Sequence, residues 1–285
     1  MRPFQLVEEQ IVSQRTRDCF ESLDKAAPIE YRELASLLAR RWIGTELTTI
    51  GIGGGQGCGK STLCGLVEEA CAFFGEKVAV LSLDDFYLTR KQRLSLSNEV
   101  HGLLATRGPP GTHDIHQLIC AVRSLQNGNS IRVPIFDKGL DDRTGSRLIE
   151  PGVIRVIVEG WCIGARPEPL ARLSKPINTL ESDLDPNGDW RTWVNDQLDG
   201  PYGELRSVLK ELVFIQVPSI ECVRKWRLQQ ESERPSHLRM DEARVRSFVE
   251  HYERLTFWML EDLGKRADIV VELDVSHDVA KLRGL

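Results

Sequence analysis

The stretch GGGQGCGKST, Gly53 to Thr62, follows the apolar run LTTIGI (Leu47–Ile52) and precedes LCGLVEEACAFFG (Leu63–Gly75). Within it, Gly54-Gly55-Gln56-Gly57-Cys58-Gly59-Lys60-Ser61 fits the pattern G-x-x-x-x-G-K-[ST] in full. That pattern is the signature of a loop that cradles polyphosphate between a strand and a helix. The residue types follow from the chemistry. Glycines let successive backbone N–H groups turn inward onto phosphate oxygens, where a side chain would intrude. The helix that follows adds its N-terminal dipole. Lys60 is expected to bridge the β- and γ-phosphates, the Ser61 hydroxyl to coordinate Mg²⁺, and Thr62 to bring its hydroxyl near the α-phosphate. Cys58 brings a thiol into the loop, although an incidental small residue is the simpler reading. In the segment after the loop, Leu63, Leu66, Val67, Ala70 and Phe74 share one helical face and Gly75 can stop the helix. A strand before and an amphipathic helix after separate this motif from a chance glycine-rich turn.

Working outward, TTIGI, VAVLSL, RVIVE, LVFIQV and DIVVEL are short apolar runs unbroken by polar alternation. Such runs suit strands covered on both faces, so the expected fold is α/β: a P-loop NTPase fold with a mainly parallel sheet flanked by helices. Residues 1–45, with FQLVEEQIVSQRTRDCFESL and EYRELASLLARRW, read as an N-terminal helical extension, and residues 46–285 as the P-loop domain. A second long helix is expected in DEARVRSFVEHYERLTFWMLEDL, where Val245, Phe248, Val249, Tyr252, Leu255 and Met259 align and Asp241 or Glu242 marks the start. The segment from about 165 to 205 is rich in Pro, Asp and Asn and carries Trp190 and Trp193. It reads as an excursion from the sheet, helical around WRTWVNDQL, rather than a separate domain.

Composition limits the partners. The net charge of -5 lacks the basic footprint of a nucleic-acid or membrane-surface protein. Seven scattered cysteines without a Cys-x-x-Cys pair read as reduced thiols, and MRPFQLVEEQ has carboxylates where a signal peptide needs an apolar core. A cytoplasmic protein that binds a small molecule, with no nucleic-acid or membrane partner, is expected.

The remaining motifs distinguish one phosphate-loop chemistry from another. A GTPase would carry a guanine-reading N-K-x-D, which is absent, and D-x-x-G occurs only as DPNG (Asp185–Gly188) in the polar excursion. The L-S-G-G-Q signature of a transport ATPase is absent too. Instead, VAVLSLDDFYLTR delivers Asp84 and Asp85 at the end of a strand, followed by Tyr87. In an open parallel sheet that edge binds ligands. A kinase acting on a hydroxyl needs a carboxylate there to orient it and take its proton. Asp84 is the candidate base and Asp85 a supporting group, although such a pair also commonly caps a turn. RVIVEGW ends in Glu159, so Ser61, Glu159 and Asp84 are the candidate metal residues. PSIECVRKWRLQQESER places Arg224 and Arg227 three apart on a basic helix, expected as a lid over about 219–240 that closes on the nucleotide. An ordinary solvated basic helix is the bland alternative. Two basic loops, ATRGPPGTHD and RVPIFDKGLDDRTGSR, offer Arg107, His113, Asp114, Lys138, Arg143 and Arg147 to an anionic or polyhydroxylated acceptor.

Taken together, GGGQGCGKST, LSLDDFYLTR, RGPPGTHD, VPIFDKGLDDR, VEGWCIGA, KPINTLESDLDPNGDWRTWVNDQL, VRKWRLQQE and FVEHYERLT resemble the D-glycerate 3-kinase group of P-loop kinases, its bacterial members above all. That group is related to phosphoribulokinase, uridine kinase and the bacterial type of pantothenate kinase. The resemblance runs from about Ile50 to Asp274 and is weakest in the N-terminal helices. It implies ATP and Mg²⁺, with the γ-phosphoryl group passing to a hydroxyl of a small acceptor, D-glycerate first among them. It also implies that Lys60 and Ser61 hold phosphate and metal, that Asp84 is the base, that Glu159 is the acidic residue after the third strand, and that Arg224 and Arg227 belong to the lid. Where plant and fungal members carry a DKS…GRGDR-like loop, this chain reads DKGLDDRTGSR. A kinase for a nucleoside or pantothenate-like alcohol, and an ATP-binding regulator without catalysis, stand as alternatives.

Overall fold

The structure is a computed structural model that describes residues 12–232 and 239–285. Residues 4–11 of the expected first helix and 233–238 of the expected lid lie outside the described residues. In chain order the elements begin with α1 (Gln14–Ser22), α2 (Ile29–Trp42), β1 (Thr49–Gly54), α3 (Lys60–Phe73), β2 (Val78–Ser82), α4 (Arg90–Glu99) and α5 (Ile115–Gln126). Then come β3 (Ile131–Asp137), β4 (Asp142–Ile149), β5 (Arg155–Gly160), α6 (Thr179–Leu184), α7 (Asp189–Asp199), α8 (Pro201–Val208) and β6 (Glu211–Gln216). The chain ends with α9 (Ile220–Ser232), α10 (Glu242–Arg266), β7 (Ile269–Leu273) and β8 (Val279–Arg283).

Among the described residues the main sheet has six strands in the order β2-β5-β1-β6-β7-β8, parallel except for β8. The apolar runs are unbroken because both faces are covered. Val156 and Val158 of β5 pack with α5 and α10, whereas Ile157 between them packs with α2 and α3. In β6, Val213 and Ile215 join the second of these layers, and Leu212 and Phe214 the first. Period-two alternation thus sends every other side chain into a different core.

The N-terminal helices share a core with the sheet. Leu34, Leu38 and Trp42 of α2 are fully or almost fully buried in the cluster that includes Ile50, Leu63 and Val67. Trp42 Nε1 also donates to the buried Glu211 carboxylate, which Arg41 meets at 2.8 Å. Leu38→Ala is therefore expected to lower unfolding stability by about 2–5 kcal/mol, readable in urea. A loss under about 1 kcal/mol would mean that α2 unfolds separately from the sheet.

Three features depart from the sequence reading. The strand expected third in the chain, β5, is the fifth. It is preceded by a separate two-stranded antiparallel sheet, β3 with β4, in the segment expected as a loop. That hairpin has a half-exposed β3 containing Pro134 and a mostly exposed β4, so no continuous apolar run announces it. The second half of the excursion is more helical than expected: α6, α7 and α8 follow one another through 179–208. Its DPNG is a helix start, with the buried Asp185 carboxylate accepting the N–H groups of Trp190 (2.8 Å) and Arg191 (3.2 Å). α10 begins as expected, with Asp241 accepting the Arg244 N–H at 2.8 Å. No helix among the described residues is long and apolar enough to cross a membrane.

Candidate active site

Register fixes what meets at the carboxyl edge of the sheet. Glu159 of β5 sits level with Ile52 of β1 on one side and Ser82 of β2 on the other. The phosphate loop leaves β1 two residues further on, and Asp84 stands two residues past the end of β2. Elements far apart in the chain therefore open into one cleft of about 510 Å³, lined by Gln56, Gly57, Gly59, Lys60, Ser61, Thr62, Asp84 and Glu159 among others. That size suits a small-molecule site.

The loop turns through Gly57 (φ 77°) and Gly59 (φ 83°), both left-handed. Gly59 has a second reason to be glycine: a Cβ there would stand 2.6 Å from the Tyr31 hydroxyl oxygen. That hydroxyl donates to the Cys58 carbonyl at 2.6 Å, so α2 holds the loop from outside. Gly54, Gly55 and Cys58 are buried behind the cradle, and burial pushes the Cys58 thiol above its ordinary value. Lys60 Nζ donates to the carbonyls of Gly54 (3.0 Å) and Gly55 (2.9 Å). Burial opposes its charge, but the Cys58 sulfur and the carboxylates of Glu159 and Asp84 more than compensate and hold its pKa up. Glu159 Oε1 accepts from Ser82 Oγ at 2.6 Å and lies 3.4 Å from Ser61 Oγ. A hydroxyl and a carboxylate oxygen side by side are the hard donors Mg²⁺ takes, usually with water and substrate phosphates completing its shell.

Asp84 lines the cleft, its Oδ2 2.6 Å from Lys138 Nζ at the tip of the β3–β4 hairpin. Burial works against its charge, yet the Lys138 ammonium and hydrogen bonds from Lys138 and Tyr87 keep the carboxyl below its usual range. Asp85 stands off the cleft, and its burial raises its pKa. Tyr87 and Arg107 line the cleft, Arg107 being ion-paired to Asp141.

The other basic-loop candidates face elsewhere. His113 is buried, stacked on Tyr87 with ring centroids 4.4 Å apart and bonded to the Tyr202 hydroxyl at 2.5 Å; burial pulls its pKa down to about 3. Asp114 caps α5 by accepting the Gln117 N–H at 3.0 Å. Arg143 binds the carbonyls of Tyr87 (2.7 Å) and Phe86 (3.2 Å), and Arg147 that of Val80 (3.0 Å), so both tie the hairpin to β2 and the turn after it. On α9, Arg227 reaches the cleft while paired to Glu231 at 2.6 Å. Arg224 does not; it pairs with Glu253 of α10 at 2.5 Å.

Tyr31, Ser82, Trp161, Tyr252 and His277 also line the cleft, although nothing in their local sequence marks them as site residues. Tyr31 and Tyr252 lie in amphipathic helices and read as core, as their burial bears out. His277 arrives through the β7–β8 turn, stacked on Trp226 with centroids 3.7 Å apart.

No protein-family model matches the chain. A curated relative in Schizosaccharomyces pombe, the uncharacterized kinase mug58, is 32% identical over 222 residues, 71% of this chain and 77% of that one. The chloroplastic D-glycerate 3-kinase of Arabidopsis thaliana is 28% identical over 218 residues, 71% of this chain but only 45% of its own length. Among solved structures, a D-glycerate 3-kinase from Cryptococcus neoformans superposes with a TM-score of 0.70 at 23% identity, covering 96% of each chain.

Proposed function

The chain belongs to the D-glycerate 3-kinase-like family of P-loop kinases, and we propose on that basis that its acceptor is a small hydroxylated anion, with D-glycerate, phosphorylated at its 3-hydroxyl, fitting best. The observation that carries the reading is the meeting of Asp84 with Lys60 and Ser61 in one cleft. A protein that only reported nucleotide would need the second and third of these but not the first.

In the proposed mechanism the loop N–H groups, the α3 N-terminus and Lys60 hold the β- and γ-phosphates of ATP. Ser61 and Glu159 would hold Mg²⁺, which when bound neutralises charge on the phosphates. The acceptor hydroxyl hydrogen-bonds to Asp84. Its oxygen attacks the γ-phosphorus as the bond to the bridging oxygen breaks, the hydroxyl proton passes to Asp84, and ADP leaves. Arg227, at the α9 side of the cleft, is the cation assigned to the charge spreading over the transferring group. Tyr87, Arg107 and Lys138 are assigned to the acceptor.

The test is ADP release from Mg-ATP with D-glycerate, L-glycerate, uridine, pantothenate, ribulose 5-phosphate or buffer alone. Stimulation by D-glycerate alone is the expected result. Stimulation by uridine or pantothenate instead would move the acceptor to that class. Bound ATP with no stimulation by any of them would favour a regulator.

A further inference from the structure

We propose that Lys138 selects acceptors by charge, exchanging its bond to Asp84 for one to the acceptor's carboxylate and so releasing Asp84 to bind the hydroxyl. The proposal rests on the reading of Asp84 as base given above, and it names the acceptor class as a short hydroxy-carboxylate.

The hairpin turn holds its own backbone and projects the Lys138 side chain into the cleft. Asp137 Oδ1 accepts the N–H groups of Gly139 (2.7 Å) and Leu140 (3.0 Å), closing the turn from within. Asp141, left-handed at φ 55°, gives its carboxylate to Arg93 and Arg107. Asp142 accepts the Arg90 N–H at 3.1 Å. With Arg143 bound to the Phe86 and Tyr87 carbonyls, the tip is pinned to the segment that carries Asp84. The Lys138 side chain is 58% exposed and reaches Asp84, itself 31% exposed, across open cleft.

The ammonium is open to the cleft on its own side of the pair, so a competing carboxylate can approach it and take it over. The neighbouring cations are engaged elsewhere: Arg107 by Asp141, Arg227 by Glu231, and Lys60 by the phosphate loop. Lys138 differs in having the candidate base as its partner.

An ionised carboxylate only accepts hydrogen bonds. While Lys138 donates to Oδ2, one of that oxygen's acceptor sites is filled and the ammonium beside it makes Asp84 a weaker base. An acceptor carrying both a carboxylate and a hydroxyl can satisfy Lys138 with the one and present the other to the freed oxygen. A neutral alcohol leaves the pair closed, and so does water, which restrains idle hydrolysis of ATP. Charge selection therefore enters turnover as well as binding.

The test compares wild type, Lys138→Met and Lys138→Arg in three assays: D-glycerate kinetics, glycerol kinetics, and ADP release without acceptor. Lys138 is exposed in a turn, so folding is checked simply by an unchanged thermal midpoint. Lys138→Met is expected to lower kcat/KM for D-glycerate about 10- to 100-fold, through kcat as well as KM. Glycerol turnover and acceptor-free ADP release should both rise several-fold, because Asp84 is then open to neutral hydroxyls and to water. Lys138→Arg should restore most of the discrimination. Equal losses on D-glycerate and glycerol, with acceptor-free release unchanged, would overturn the exchange. If D-glycerate fails to stimulate wild type, the assignment of the acceptor falls by itself. The acceptor-free rate of Lys138→Met then still decides the role of the pair: a rise supports it and no rise removes it.

Discussion

Asp84→Asn is expected to cut turnover with Mg-ATP and D-glycerate by about 10²–10⁴-fold, the usual contribution of general base catalysis, while nucleotide affinity stays within a few-fold of wild type. Asn keeps the shape of the side chain and an oxygen that can accept a hydrogen bond, so the acceptor can still dock. What it loses is the ability to take the proton as the phosphorus–oxygen bond forms. Asp84 stands at the end of β2, across the cleft from the glycine loop, and nothing in the cradle is built from it. The two readouts should therefore separate: kcat by coupled ADP release falls, and ATP affinity by titration calorimetry does not. If turnover stays within about tenfold of wild type, Asp84 is not the base. Asp85, the next residue, lies about a third of a 3₁₀ turn further round and off the cleft, so it would be a poor substitute on the present geometry.

Lys60→Ala should act on binding and turnover together. The ammonium is proposed to meet phosphate oxygens, where charge-assisted bonds are about twice as strong as neutral ones. It also ties the loop to itself through the Gly54 and Gly55 carbonyls. Removing it would leave the carboxylates of Glu159 and Asp84 beside the bound phosphates without the cation that sits among them. A loss of about 10²–10³-fold in ATP affinity is expected, with a further loss in kcat, because charge on the transferring group grows toward the transition state. The thermal shift that saturating ATP gives the wild type should largely disappear, since ligand stabilisation follows the ratio of ligand to Kd. ATP affinity unchanged within threefold would show that Lys60 contacts no phosphate.

How much of this was legible beforehand depended on range. β1, β2, β5, β6 and β7 were readable because both faces of each are buried, which leaves a contiguous apolar string in the sequence. The β3–β4 hairpin was not, because it lies outside that sheet and keeps charged, exposed side chains. The same held for the site. Gly54 to Thr62 is a local pattern, and Asp84 and Glu159 each end an apolar run, so residue type and position sufficed. Cations were harder. Arg107 and Lys138 line the cleft, while Arg143 and Arg147 clasp backbone carbonyls outside it, and composition alone does not distinguish the two uses. Tyr31, Tyr252 and His277 come to the cleft only through tertiary packing, from helices and a turn whose local sequence reads as ordinary core or loop.

The hairpin that carries Lys138 is hydrogen-bonded into its own two-stranded sheet and contributes no strand to the main one. The phosphate loop, by contrast, grows from β1, which has a partner on either side. On the proposed roles, the part of the enzyme that handles the common donor is embedded in the architecture, and the part that reads the particular acceptor is an attachment to it. Exchanges at the exposed positions of residues 131–149 can then accumulate without altering the strands that carry the phosphate loop. A lineage built this way can change what it phosphorylates by rewriting one short appendage.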